Sequence, residues 1–189
     1  MSSNYSFHAI PIYWVIALYP HMYSQMIFKK GANGQLDNAN PRGASTLEFY
    51  RKCCPGPLYT KAERAEACHK NNMENAPFFI GAILAGNLAG LDSGMFHSHG
   101  CSSINDDKRQ DIDDMSRSEE VEANQDNIAT MNTLAGAYIG LRLVYSFMYV
   151  KIQTNTPSYL RSVTWTASVA VLMTMFVKAG NKMNSALGL

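Results

Sequence analysis

Two kinds of residue are missing from most of this chain. No acidic residue precedes Asp37 or follows Asp126, and nine of the fifteen acids crowd into residues 106 to 126. Without that segment the remainder is basic and strongly apolar, so the 47 % apolar average, which would suit an ordinary soluble core, hides two different kinds of sequence. Cysteine is also scarce: Cys53, Cys54, Cys68 and Cys101 are too few and too unevenly spaced for a disulfide framework. The N-terminus lacks a basic region, and Pro11, Pro20 and bulky aromatics interrupt the first apolar run, so no cleavable signal peptide is expected. Uninterrupted apolar runs of bilayer length are absent too. Each candidate reaches the roughly 20 residues of a spanning helix only by tolerating a few polar ones.

Four such candidates are present nevertheless, at about 7–28, 61–91, 127–150 and 157–179, joined by long polar connections at 29–60 and 92–126. Four in succession predict an all-α integral membrane four-helix bundle, a single domain over 1–189. The first connection holds Lys29, Lys30, Arg42, Arg51, Lys52 and Lys61 against Asp37 and Glu48, while the second is acidic. The positive-inside rule then puts the first and third connections in the cytosol and both termini on the far side. Tyr13, Trp14, Tyr19 and Tyr23 read as lipid-interface or packing residues, and Pro20 as a site for a kink.

The connections carry weaker signals. Density in Gly, Asn and Pro makes 29–59 a loop, with Asp37 to Arg42 as a compact turn cluster whose Arg42 could reach an anion near the helix ends. His97, His99 and Cys101 are transition-metal ligand types, but no fourth ligand stands at a recognisable spacing and no metal is expected. The acidic run reads as a solvated or partly disordered insertion. The triplet Asn4-Tyr5-Ser6 matches a glycosylation acceptor placed too near the bilayer for use.

Chemistry concentrates in polar stripes on the apolar helices. Offsets of seven, three and four residues put Arg64, Asn71, Glu74 and Phe78 on one face of the second span. Tyr138, Arg142, Tyr145 and Tyr149 share a face of the third, and Arg161 with Ser162 opens the fourth. Ionisable groups in a membrane helix are costly unless each has a partner, so they mark either a packing network, such as an Arg142–Glu74 pair, or a polar ligand.

These residues resemble a known family. Arg64-Ala65, His69-Lys70-Asn71 and Glu74-Asn75-Ala76-Pro77-Phe78, followed by Arg142, Tyr145, Tyr149 and the run from Arg161 to Thr166, resemble the MAPEG proteins, the membrane-associated family of eicosanoid and glutathione metabolism. In motif they are closest to its microsomal prostaglandin E synthase and glutathione transferase branches. The resemblance implies a homotrimer in the endoplasmic reticulum membrane, with glutathione at the subunit interface near the cytosolic face. It implies Arg64, Asn71, Glu74, Arg142, Tyr145 and Lys30 as cofactor-binding residues, Lys30 or Lys29 replacing a first-helix arginine. Arg161, Ser162 and Tyr149 would be catalytic, Arg161 holding the sulfur in its thiolate form.

Glutathione has two carboxylates and an ammonium, so guanidinium groups plus one carboxylate complement it. The expected function is a glutathione-dependent transferase, isomerase or peroxidase acting on a lipophilic electrophile that arrives through membrane lipid; nucleic acid is not an expected partner. Ala67 and Lys70 stand where relatives commonly carry arginine. Those departures keep open a glutathione-independent isomerase or cyclase, or a membrane scaffold, on the same fold. The acidic insertion and Asn-rich first connection argue against assigning an eicosanoid substrate.

Overall fold

The computed structural model describes residues 3–95, 106–153 and 155–186. Every regular element among them is helical: a 3-10 turn at Ser6–His8, then α1 (Ala9–Gly31), α2 (Ala44–Cys53), α3 (Gly56–Met95), α4 (Asp106–Lys151) and α5 (Asn155–Ala186). α1 stops where Asn33 and Gly34 adopt φ of 50° and 91°, left-handed values that glycine takes without penalty, and the Gly34 N–H returns to the Lys29 carbonyl at 2.8 Å. Pro20 in α1 and Pro77 in α3 each remove one internal N–H, yet both helices continue through them.

Two connections differ from expectation. The stretch read as a loop over 29–59 contains α2, an amphipathic helix that buries Thr46 and Tyr50 one turn apart and carries a Glu48–Lys52 ion pair at 2.7 Å. The acidic run is helical from Asp106 onward and continuous with the third apolar segment. Residues 106 to 135 contain neither Gly nor Pro, and the good helix formers Glu, Gln, Arg, Lys, Met, Ala and Leu make up 14 of the 30, which allows helix whether or not the helix is solvated. His97, His99 and Cys101 lie outside the described residues. Among the described residues no group of acids, histidines and cysteines could hold a metal.

Of the four expected spans, two are long and apolar enough on their own to cross a membrane, Asn124–Lys151 and Tyr159–Ser185. α1 and α3 do not meet that requirement. α3 becomes predominantly apolar only from Ala76, and α1 is interrupted by Pro11, Pro20, His21, Ser24 and Gln25.

The chain forms two compact units, through both of which α3, α4 and α5 run. The first comprises Met1–Ile10, Phe78–Ile139 and Ser168–Leu189. Small residues on α3 permit close packing there: Ala82 and Ala89 are buried, and a methyl group on Gly86 would collide with the Met131 thioether of α4. Phe79 stacks on Tyr138 with ring centres 4.5 Å apart. Buried Asn87 donates to Ser6 Oγ at 3.0 Å and to the Ile83 carbonyl at 2.7 Å, while Asn4 Nδ2 donates to Asn87 Oδ1. The amide of the glycosylation triplet is thus already engaged.

The second unit comprises Pro11–Pro77 and Gly140–Ala167. Ile27, Phe28 and Ala32 of α1 and its C-terminal turn pack with Tyr50 and Cys54 around α2 and with Ala62 of α3. Phe28 and Tyr50 stack at 4.7 Å. The turn cluster expected at Asp37 is present: one carboxylate oxygen accepts the N–H groups of Ala39 and Asn40, both at 3.0 Å, and the other accepts the Thr46 hydroxyl at 2.8 Å. The anion reached by Arg42 is Glu66 of α3, at 3.5 Å, an ionic contact, and Glu66 also accepts from His21 Nδ1 at 2.9 Å.

Asp37 supplies a pH test of this turn. The Asn40 N–H, then the Thr46 hydroxyl, hold its carboxyl below the ordinary 3.8. A lowered folded pKa means that the carboxylate's contribution is complete above 3.8 and fades as pH falls through the lower folded value. Hydrogen exchange should show Ala39 and Asn40 protection several-fold lower in Asp37→Ala than in wild type at neutral pH. That difference should shrink only below the ordinary carboxylate range.

Candidate functional site

Arg142 lies in the apolar part of α4 and has no solvent exposure. A guanidinium so placed requires polar company, and its Nη1 donates to Asn71 Oδ1 of α3 at 3.0 Å while its Cζ stands 5.4 Å from the Tyr145 ring centre. Asn71 is itself anchored, its carbonyl accepting Asn75 Nδ2 at 2.8 Å. One residue further along α3, fully buried Asn72 donates from Nδ2 to Ser146 Oγ of α4 at 3.0 Å. The Tyr13 hydroxyl of α1 donates to the Asn72 carbonyl at 2.6 Å, and His69 Nδ1 donates to the Ala17 carbonyl at 2.7 Å. These bonds fix α1, α3 and α4 at one level.

In front of that seam is a hollow of about 430 Å³, lined by Asn71, Tyr145, Tyr149, Arg161, Ser162, Trp165 and Thr166. Tyr145 and Tyr149 meet edge to face at 5.4 Å because four residues separate them on α4. Arg161 lies over the Tyr149 ring with Cζ 4.6 Å from its centre. Arg161 and Trp165, and likewise Ser162 and Thr166, are one turn apart on α5, so that helix presents a cation, an indole and two hydroxyls to the same space. The set suits an anionic or thiol-bearing polar ligand: a guanidinium for negative charge, and phenol, hydroxyl and amide groups for directed hydrogen bonds.

Five sequence-predicted site residues therefore converge: Asn71, Tyr145, Tyr149, Arg161 and Ser162. Arg142 stands behind the hollow instead of lining it. Glu74 is exposed and absent from the lining, since a three-residue step rotates it about 60° from Asn71, enough to clear α4. Phe78 is exposed as well, so this edge of the predicted stripe is not buried within the chain. Arg64, two turns before Asn71, is also outside the lining, with Nε and Nη2 buried and without a hydrogen-bond partner among the described residues. Lys30 is exposed at the end of α1. Trp165 and Thr166 had no predicted site role; their four-residue spacing from Arg161 and Ser162 was the available signal.

A second, apolar groove of about 500 Å³ runs along α1 and α4, with Val15, Tyr19, Leu143, Phe147 and Val150 among its walls.

The Asn71–Arg142 contact can be tested through stability. Asn71→Ala should destabilise the detergent-solubilised protein by about 2 kcal/mol, the scale of a hydrogen bond to a charged group. Asn71→Asp, which retains the acceptor and adds a countercharge, should be milder. Equal denaturation midpoints for wild type and Asn71→Ala would remove the contact from the account.

No curated protein and no solved structure gives a match. A sequence model of the MAPEG family matches residues 8–104 and 121–181. That match covers most of the chain, including all five residues that line the hollow and were predicted from sequence. Members of the family are membrane-associated, commonly use glutathione and generally form trimers that bind lipophilic substrates. On the extent of this match, the chain belongs to the MAPEG family.

Proposed function

We propose that the protein is a glutathione-dependent membrane enzyme, of transferase, isomerase or peroxidase type, acting on a lipophilic electrophile. The observation that carries this reading is the convergence of Arg161, Ser162, Tyr149, Tyr145 and Asn71 on one hollow. Family membership supports it, because MAPEG proteins include glutathione-dependent transferases and isomerases. The apolar groove along α1 and α4 supports the lipophilic class of the second substrate.

Glutathione, when bound, supplies a thiol as nucleophile. Arg161 favours negative charge near its guanidinium and thereby the ionised form of a sulfur held there. The Ser162 hydroxyl and the Tyr149 phenol can donate hydrogen bonds to that charge, and the ring of Tyr149 restrains the Arg161 guanidinium. Asn71 and Tyr145 offer amide and phenol groups to the rest of a polar ligand. Arg142 acts through them, as a positioning residue.

The assembly proposed is a homotrimer in the endoplasmic reticulum membrane, with the hollow toward the cytosol as the basic first connection suggests. One observation favours the glutathione-independent isomerase or cyclase as a second reading. Within one chain, Glu74 is outside the hollow, which leaves a tripeptide ammonium without its carboxylate partner.

Purified protein should conjugate glutathione to an activated aryl halide. Arg161→Ala should lower kcat/KM by about 10²-fold, the scale of removing one charge-stabilising donor, with unchanged oligomeric size. Ser162→Ala should have a smaller effect. Wild-type protein that neither binds glutathione nor turns over refutes the proposal, and turnover of a lipophile without thiol would favour the second reading.

A further inference from the structure

The two helices that qualify as membrane spans contain six charged residues in their spanning segments: Asp126, Arg142 and Lys151 in α4, and Arg161, Lys178 and Lys182 in α5. Arg142 and Arg161 belong to the site described above, and Lys151 ends its span. The other three meet in one place, a hollow of about 370 Å³ lined by Asp126, Asn127 and Thr130 of α4 and Lys178, Asn181 and Lys182 of α5. The cluster bears both signs on two facing helices, which makes it complementary to a polar occupant of mixed charge.

Depth narrows the choice. The spans contain 28 and 27 residues, which at about 1.5 Å per residue gives about 40 Å, the thickness of a hydrocarbon core together with its headgroup layers. Asp126 follows the first residue of its span, Asn124, by two positions, and Lys182 precedes the last of its span, Ser185, by three. Both therefore fall in a headgroup layer. Thr130 and Lys178 are one turn deeper, and the long lysine stem can carry its ammonium outward.

We infer that this hollow binds the headgroup of a zwitterionic aminophospholipid. Lys178 and Lys182, one turn apart on one face, present two ammonium groups to a phosphate, and Asp126 presents a carboxylate to the lipid's primary ammonium. The Thr130 hydroxyl and the Asn127 and Asn181 amide NH2 groups add neutral donors for the phosphoryl and ester oxygens. A choline headgroup cannot donate hydrogen bonds to Asp126, and an anionic glycerol headgroup brings nothing to neutralise it. The charges that line the hollow thus favour phosphoethanolamine over both. The inference is independent of the thiol chemistry proposed for Arg161.

The test is native mass spectrometry of the full-length protein in detergent, titrated separately with dioleoyl phosphatidylethanolamine, phosphatidylcholine and phosphatidylglycerol. Phosphatidylethanolamine should be retained best. Lys178→Gln/Lys182→Gln should lower its occupancy on the order of tenfold, since each interfacial lysine contributes to binding lipid phosphate. Asp126→Asn, the gentler change, should retain lipid while losing the preference for ethanolamine over choline. The inference is overturned if wild type shows no such preference, if the double lysine variant retains the lipid as wild type does, or if Asp126→Asn keeps the preference. Displacement of the lipid by millimolar inorganic phosphate would also overturn it, identifying the occupant as a free anion.

Discussion

A fully buried guanidinium in an apolar helix is the constraint on which the site depends. Arg142 loses its hydration, so α3 must bring an acceptor to it, and Asn71 does so. Once that contact is made, α3 and α4 have a fixed register, which the Asn72–Ser146 bond reinforces and the Tyr13 hydroxyl extends to α1. The open hollow follows from this register. Asn71 and Tyr145 are held from behind by Arg142, and their remaining surfaces face Arg161 and Ser162 of α5.

The same register explains what could be read from sequence. Tyr145 and Tyr149 were legible because a helical period puts them on one face whatever packs against it, and Arg161-Ser162 because the pair opens an apolar segment. Glu74 was misplaced because sharing a stripe with Asn71 does not mean sharing a neighbour; the stripe is wider than the contact with α4. Trp165 and Thr166 were overlooked because an indole and a hydroxyl in a membrane helix are ordinary packing and capping groups. The hollow they share with Asn71, Tyr145 and Tyr149, which belong to other helices, distinguishes them.

Errors about the fold came from equating polarity with irregular structure. Residues 106 to 126 have the charge of a solvated tail, but they contain neither Gly nor Pro, and a net negative charge does not by itself prevent an α-helix. α2 is hidden in the sequence by the turn formers on both sides of it, although Thr46 and Tyr50 have helical spacing and bury themselves. The Asp37 turn was legible because a short carboxylate accepts nearby backbone N–H groups without help from distant residues.

Charge matching bears on the proposed assembly. Arg161 is the cation among the residues lining the hollow, whereas glutathione carries two carboxylates in addition to its thiol and also an ammonium. Arg142 cannot supply the second cation directly, being buried behind Asn71 and Tyr145. One chain thus complements only part of the tripeptide. Arg64 has buried guanidinium nitrogens without an acceptor among the described residues, and Glu74 exposes a carboxylate on the same helix. Of the two, the Glu74 carboxylate is the one open to a neighbour, on a part of α3 that does not line its own chain's hollow. In the proposed trimer a neighbouring copy could present it to the ammonium of the tripeptide. The proposed trimer would then have a chemical role, because the hollow within one chain has no carboxylate among its lining residues.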